Sequence, residues 1–441
     1  MSKGMPNTTL PSGFKPYPEF KDSGIAWLGK IPAHWRHLKI KYSTYVKGRI
    51  GWQNLRTDEF IDDGPYCITG TDFVEGRVDW DLCYHVSRDR YEQDPFIHVL
   101  KGDLLVTKDG SIGKLALVDD LQEPACLNSG IFVTRPLNDR YTSKYLYWVL
   151  SSRVFTGFID YMSAGSTIQH LYQYVFGTFV FPAPSLDEQN AVTAFLDRET
   201  ARIDAMVAKK ERLVELLQEK RTALITHAVT KGLDPAVPMK DSAVEWLDKI
   251  PAHWEVKRIK YITECLDGQR IPLNAEQRGV MQGDYPYWGA NGIVDYLDKW
   301  LFDEELVLLG EDGAPFFERF KDVAFYVNGK LWVNNHAHVL RAVHGMLPQF
   351  LSYCLNMVDY RAFIDGTTRD KLTQSDMSNI LVQFPPLSEQ RAVTNFISRE
   401  TAKFDALIAK IREGIEKLKE YRTALISAAV TGKIDVREGA A

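Results

Sequence analysis

A 14-residue segment of this chain occurs twice, and that repetition limits the possible folds more than any other feature. Asp22-Ser-Gly-Ile-Ala-Trp-Leu-Gly-Lys-Ile-Pro-Ala-His-Trp35 recurs as Asp241-Ser-Ala-Val-Glu-Trp-Leu-Asp-Lys-Ile-Pro-Ala-His-Trp254, each copy leading into Ile-Lys-Tyr at Ile40–Tyr42 and Ile259–Tyr261. The offset is 219, with 13 of the 21 aligned positions identical. A second pair, Pro184-Ser-Leu-Asp-Glu-Gln-Asn-Ala-Val-Thr-Ala-Phe195 and Pro385-Pro-Leu-Ser-Glu-Gln-Arg-Ala-Val-Thr-Asn-Phe396, lies at an offset of 201 that holds ungapped from Pro184 to Lys231. The chain is two tandem units. Similar edges enclose dissimilar interiors of 141 residues (43–183) and 123 residues (262–384).

The ungapped repeats read as long helices. Ala191, Val192, Phe195, Leu196, Ile203, Val207, Leu213, Leu217, Leu224 and Ala228 recur at spacings of three and four. Val393, Phe396, Ile397, Phe404, Ile408, Ile411, Ile415, Leu418, Leu425 and Ala429 do the same in the second copy. No proline interrupts Leu186–Val229 or Leu387–Val430, so each helix can reach ~65 Å at 1.5 Å per residue. An inserted residue would turn every later side chain by about 100°, which explains the absence of gaps. The stripes are expected to pack on each other. Pro184 and Pro385 stand before the starts, Gly232 and Gly432 near the ends.

The interiors have another texture, rich in Val, Ile, Tyr, Phe and Trp. Turn signals punctuate them at Asp63-Gly64, Lys108-Asp109-Gly110, Asn128-Ser129-Gly130, Asn291-Gly292, Glu311-Asp312-Gly313 and Asn328-Gly329. Short strands Asp103–Thr107 and Glu305–Leu309 precede two of these turns. The expected fold is α/β (α+β): two globules carried on two long helices. Its parts are an arm (1–21), a first head (22–183), a first helix (184–232), a linker (233–240), a second head (241–384), a second helix (385–432) and a tail (433–441).

Several classes of function are disfavoured. The 53 basic and 58 acidic side chains give a formal charge of −5, too balanced for a polycation, although a DNA binder needs only a local basic face. Five scattered cysteines with no C-x-x-C pair argue against a disulfide framework or a cysteine zinc site. No apolar run nears the ~20 residues of a membrane span, and the N-terminus lacks a signal peptide's apolar stretch, so a cytoplasmic protein with no membrane partner is expected.

Two variable domains, each preceded by W-L-x-K-I-P-x-H-W and followed by P-P/S-L-x-E-Q-x-A-V into a long helix, resemble the specificity subunit of a type I restriction–modification system. Gly102-Asp-Leu-Leu-Val-Thr-Lys-Asp-Gly-Ser-Ile-Gly113, Tyr287-Trp-Gly-Ala-Asn-Gly292, Val333-Asn-Asn-His-Ala-His338 and Gly366-Thr-Thr-Arg-Asp-Lys-Leu372 extend the resemblance over nearly the whole chain. It implies two target-recognition domains, each reading half of a bipartite site on double-stranded DNA. It implies an antiparallel coiled coil that sets the spacing of the halves and docks two adenine methyltransferase subunits, with motor–nuclease restriction subunits joining them. It also implies a chain that is no enzyme and binds no cofactor, S-adenosylmethionine, ATP and magnesium belonging to the partners. A specificity subunit of a fused restriction–methylation enzyme is the nearest alternative. A coiled-coil adaptor whose heads bind proteins is a more distant one.

The residues themselves supply no catalytic set. An Asn/Asp-Pro-Pro-aromatic methyltransferase motif is missing, Phe384-Pro-Pro-Leu387 having the wrong flanks. Gly110-Ser-Ile-Gly-Lys-Leu115 lacks the first Gly and the Ser/Thr of a phosphate loop. A nuclease-like Asp248, Glu255 and Lys257 is matched in the other copy by Gly29, Arg36 and Leu38, which marks it as coincidence. His336 and His338 read better as alternating strand residues than as metal ligands, since no further ligands cluster nearby, so no metal is expected. His34 and His253 are expected to pack on the tryptophan and hydrogen-bond.

Phosphate binding needs clustered Lys and Arg, and base reading needs polar groups on loops. The DNA-binding candidates are Lys108, Asp109, Ser111, Lys114, Thr167, Gln169 and His170 in the first head, and Asn291, Glu311, Asp312, Asn334, Asn335, Thr368, Arg369 and Lys371 in the second. On the helices, the repeated Arg198, Glu199, Thr200 and Arg399, Glu400, Thr401 are candidate partner contacts, alongside the plainer reading of a solvated face.

Overall fold

The computed structural model describes residues 14–49, 55–163, 170–364 and 370–437. The chain divides into two compact units, residues 1–209 with 414–441, and residues 210–413. The long helices run over Leu186–Lys231 (46 residues) and Leu387–Val430 (44 residues), so each unit holds part of both. No helix among the described residues is long and apolar enough to cross a membrane.

The repeated Ile-Pro-Ala-His-Trp segment is a joint that ties the start of one helix to the end of the other. In the first unit Trp35 is fully buried, and its indole N–H donates to Glu188 Oε1 (3.3 Å) in the opening turn of the first helix. His34 Nε2 meets the same oxygen at 2.9 Å, and the Ser185 hydroxyl donates to Oε2 (3.2 Å) while accepting from the Glu188 N–H (3.3 Å), a capping arrangement. Burial pushes the Glu188 carboxyl up, but the hydrogen bonds from His34, Trp35 and Ser185 outweigh it and hold the group below its ordinary value. On the other side of the tryptophan lies Gly432, just beyond the second helix. The second unit repeats the joint: Trp254 Nε1 donates to Glu389 Oε2 (2.9 Å), His253 Nε2 lies 2.7 Å from Oε1, and Gly232 sits beside the ring. Helix start and helix end meet at one tryptophan, so within each unit the two helix segments run antiparallel. Both histidines make the expected hydrogen bond; His253 lies 6.4 Å from the Trp254 ring, whereas the ring beside His34 is that of Tyr17 (5.5 Å) and not the expected tryptophan.

The next residue completes the joint. Gln189 donates to the Arg140 and Pro184 carbonyls (2.9 and 3.0 Å) and accepts from the Thr142 N–H (3.1 Å). Gln390 donates to the Gly345 and Pro385 carbonyls (3.0 and 2.8 Å) and accepts from the Leu347 N–H (2.7 Å). Both are fully buried. The Glu-Gln dipeptide is repeated because two orphaned loops must be satisfied in the same way.

Gly432 (φ +67°) and Gly232 (φ +74°) end the helices in the left-handed conformation. A Cβ on Gly432 would fall 2.4 Å from Pro32 Cγ and 3.0 Å from Trp35, whereas one on Gly232 would meet Trp254 at 3.3 Å. Gly432→Ala combines the left-handed penalty with an overpacked joint and is expected to destabilise by about 2–4 kcal/mol. Gly232→Ala should lose only about 1–2 kcal/mol. Urea unfolding of the two variants measures the difference.

The helix stripes pack largely as their spacing predicts. In the first unit Val192, Phe195, Leu196 and Ile203 share a core with Leu425, Ile426, Ala429 and Val430; in the second, Ile225, Ala228 and Val229 share one with Val393 and Ile397. Asp204–Arg422 (2.9 Å) and Arg221–Asp405 (3.1 Å) are one ion pair made in each unit, Asp405 and Arg422 being the counterparts of Asp204 and Arg221 at the repeat offset. Leu213 departs from its expected place: it is 44% exposed and Val214 is buried instead. A 3.6-residue helix drifts by about 20° per heptad, so a stripe read by fixed spacing slips on a helix this long.

The dissimilar interiors fold alike. In the first head strand Leu104–Thr107 lies between Ile131–Pro136 and Leu115–Leu117, with Thr44–Lys47 outside Ile131–Pro136. In the second, Leu306–Gly310 lies between Ala337–Ala342 and Ala324–Val327, with Thr263–Cys265 in the outer place. Each central strand serves two cores by alternation: Leu104 and Val106 face the helices' core while Leu105 joins a second. Val307 and Leu309 do the first in the other head, Leu306 and Leu308 the second.

Three boundaries differ from the sequence reading. Tyr17 of the arm is buried and bonds Glu188 at 3.3 Å. Ile434 and Val436 of the tail are buried in the same core, so described arm and tail residues belong to the first unit. The linker's last two residues, Met239 and Lys240, form part of strand Met239–Asp241, paired with Lys249–Pro251 as Phe20–Asp22 pairs with Lys30–Pro32.

Candidate nucleic-acid interface

In each head the loop that leaves the central strand meets a segment some 60 residues further along. In the first, Leu171 N–H donates to the Lys108 carbonyl (2.8 Å) and Asp109 bridges to His170, whose Nδ1 also meets the Asp109 carboxylate. In the second, Leu372 N–H donates to the Glu311 carbonyl (2.8 Å) and Asp312 bridges to Lys371. The two loops are built the same way from different side chains: Lys108, Asp109 and His170 against Glu311, Asp312 and Lys371.

The structure gathers further candidates there. Asn291, in the turn between Gln282–Gly289 and Gly292–Leu297, donates through Nδ2 to the Gly313 carbonyl (3.1 Å). His336 Nδ1 lies 3.4 Å from Asp312 Oδ2, and its N–H is held by Asn334 Oδ1 (2.8 Å), with Asn335 exposed between them. Ser111 and Lys114 are exposed on the first head's loop. Lys108 is turned inward, its Nζ 3.4 Å from the Arg49 carbonyl and 5.4 Å from the Phe132 ring centroid. Thr167, Gln169, Thr368 and Arg369 lie outside the described residues.

Three candidates change role. The Glu311 side chain is only 13% exposed: Oε2 takes Arg270 Nη1 at 2.6 Å and Oε1 faces Lys371 Nζ at 3.3 Å. It positions Lys371, which is 54% exposed, and offers little of itself to a base. Thr200 and Thr401 are buried, each hydroxyl returned to its own helix at Leu196 O (2.6 Å) and Ser398 O (3.4 Å). They are helix packing, which leaves Arg198–Glu199 (3.1 Å) and Arg399–Glu400 (2.9 Å) as the outward ion pairs.

His338 is also corrected. Further ligand types do converge on it: Nδ1 lies 2.6 Å from Asp267 Oδ2 and 3.8 Å from Glu311 Oε2, and Nε2 lies 3.0 Å from the Leu372 carbonyl. The folded chain supplies its own cation, since Arg270 pairs with both carboxylates. Burial raises the Asp267 carboxyl, but the His338 hydrogen bond, the Val339 N–H and the His338 and Arg270 charges bring it below its ordinary value. This network anchors Leu372 and Lys371 to the sheet. Asp267 and Arg270 lie about 70 residues from His338, and nothing in the local sequence marks them as its partners.

Missed too were Tyr172 and Tyr174, 53% and 75% exposed, with rings stacked 5.6 Å apart and the His170 ring tilted against Tyr172 at 4.4 Å.

The family model of the type I restriction modification DNA specificity domain matches the chain twice, over residues 52–215 and 251–417. The chain belongs to that family. Each match covers most of one head and about two-thirds of a long helix. The type I restriction enzyme MjaIX specificity subunit of Methanocaldococcus jannaschii is 25% identical, over 95% of this chain and 97% of its own length. A putative type I restriction enzyme specificity subunit of Haemophilus influenzae is 30% identical over 164 residues, covering 37% of this chain and 39% of that one. Among solved structures, a chain from work on complex assembly and conformational transition of the type I R-M system superposes with a TM-score of 0.69 at 14% identity, covering 92% of this chain and 99% of that one. The likeness shows that the fold is shared: two recognition domains on two long helices.

Proposed function

We propose that this chain is the DNA sequence-specificity subunit of a type I restriction–modification complex and reads a bipartite site, one half with each head. The observation that carries the reading is the duplicated interface. The same backbone bridges hold the loop after the central strand in both heads, while the exposed chemistry differs: His170, Ser111 and Lys114 in one, Lys371, Asn291 and Asn335 in the other. Equal scaffolds with unlike side chains suit two readers of different sequences on one duplex. The chemistry belongs to partners: methyltransferase subunits carrying S-adenosylmethionine and restriction subunits using ATP and magnesium, docked on the outer helix faces around Arg198–Glu199 and Arg399–Glu400.

The test is methyl transfer to DNA by the purified chain alone and by the chain with its methyltransferase partners. The chain alone is expected to transfer nothing, and the complex to methylate one bipartite sequence. Methylation by the isolated chain would overturn the division of labour.

A further inference from the structure

The repeated Ile, Pro and Trp of the Ile-Pro-Ala-His-Trp joint are explained by burial, and the repeated His34 and His253 by their bonds to Glu188 and Glu389. Ile31, Trp35 and Ile40, with Ile250, Trp254 and Ile259, are all fully buried. The repeated Lys-Tyr that follows Ile40 and Ile259 is not: Tyr42 is 70% and Tyr261 61% exposed, and packing requires neither. In both copies the lysine Nζ stands over its neighbour's ring, at 5.6 Å for Lys41 and 5.3 Å for Lys260. An exposed pair kept in type and geometry across two heads that otherwise differ calls for a ligand common to both.

Its place in the fold narrows the ligand. Lys41 N–H donates to the Gly177 carbonyl (3.0 Å), at the end of the short helix Gln173–Phe176 that leads away from His170. Lys260 Nζ reaches Asn379 Oδ1 (3.3 Å), at the end of helix Gln374–Asn379 that leads away from Lys371. In each head one short helix, about 6–9 Å long, lies in the chain between the bridged loop and the residue that the pair contacts. The surroundings are basic. No Asp or Glu occurs from Arg36 to Arg49, a stretch holding Lys39, Lys41 and Lys47. Around the second pair stand Lys257 and Arg258, and the nearby Glu255 is engaged by Lys257 at 3.0 Å.

We propose that Lys41–Tyr42 and Lys260–Tyr261 grip the sugar–phosphate backbone of DNA, once per half-site, without reading sequence. Lysine and tyrosine side chains are suited to phosphate oxygens, and such contacts fix register while carrying no sequence information. The backbone is the same in every half-site, which is why this pair is repeated while the loop residues are not. The proposal rests on the DNA-specificity reading above.

The test uses the complete chain with its methyltransferase partners, titrated onto a duplex carrying the mapped target and onto a scrambled duplex, from about 50 to 200 mM salt. Each lost phosphate contact lowers the slope of log affinity against log salt by about 0.9, so Lys41→Ala with Lys260→Ala should lower it by about 1.8, roughly a twelvefold smaller loss of affinity over that range. Affinity should fall equally for both duplexes, with the methylated sequence unchanged. The two Lys→Arg changes should restore the slope, and the Lys→Glu changes should weaken binding further. An unchanged slope would overturn the proposal. So would loss of the methyltransferase from the purified variant complex with its slope intact, which would give the surface to a protein partner. A changed methylated sequence would likewise make the pair a base reader. If the unsubstituted complex shows no preference for the mapped duplex, it is the specificity reading that fails, and that is seen before any variant is made.

Discussion

Replacing residues 43–183 with the corresponding region of a related specificity subunit is expected to change one half of the methylated sequence completely and leave the other half untouched. The exchanged segment contains the whole of the first bridged loop, from Lys108 to His170, and none of the second. It leaves in place Trp35 and both long helices. Besides the Gln189 bonds to Arg140 and Thr142, the transplanted region must still satisfy the helices where Trp148 Nε1 meets Asp197 (3.1 Å), the Tyr145 hydroxyl Val430 O (3.4 Å) and the Arg153 N–H the Ser427 hydroxyl (3.1 Å). A donor with an aromatic N–H and a hydroxyl at those places should assemble. Mapping the methylated adenines of a host expressing the chimaera reads the result, and a change in both halves would mean that the heads do not read independently.

The second large effect lies in the joints. Trp35→Ala removes a fully buried ring that meets Tyr17 (5.6 Å, edge-on) and stands beside the helix-ending Gly432, and it takes one donor from Glu188. Truncating a buried tryptophan costs about 3–5 kcal/mol, a large share of the ~5–15 kcal/mol that stabilises a typical domain. Trp35→Ala is therefore expected to lower the urea midpoint of the first unit sharply. Trp35→Phe should retain most of the packing and lose about 1–3 kcal/mol with the N–H donor. Equal stability of the alanine variant and the parent chain would show that the tryptophan does not join the helix ends.

The helices and the tandem plan were legible because period and repetition are local signals. Leu186–Lys231 and Leu387–Val430 match the ungapped repeats almost to the residue. The repeated Ile-Pro-Ala-His-Trp was visible as a motif, but its purpose was not, since Trp35 meets Gly432 nearly 400 positions away. The shared topology of the two interiors was hidden for a related reason. Strands such as Leu104–Thr107 and Leu306–Gly310 need only apolar residues that alternate between two cores, and many sequences supply those.

The bridged loops were half legible. Asp-Gly after a buried strand marked the turns at Asp109 and Asp312, while the pairing of each with His170 or Lys371 is a long-range contact that no turn signal encodes. The Glu311 carboxylate in a loop reads as a base-reading group in the sequence, and only the fold shows Arg270 holding it inward. Thr200 and Thr401 were repeated for the same reason as Trp35, because both units bury them. Among repeated residues, exposure rather than repetition separates a contact from a packing element.

The most direct measurement is genome-wide mapping of methylated adenines in a host expressing this chain with its methyltransferase partners. The account predicts one bipartite sequence, two unlike specified halves about an unread gap, absent when this chain is omitted. Methylation that persists without the chain, or falls on a single undivided sequence, would contradict it.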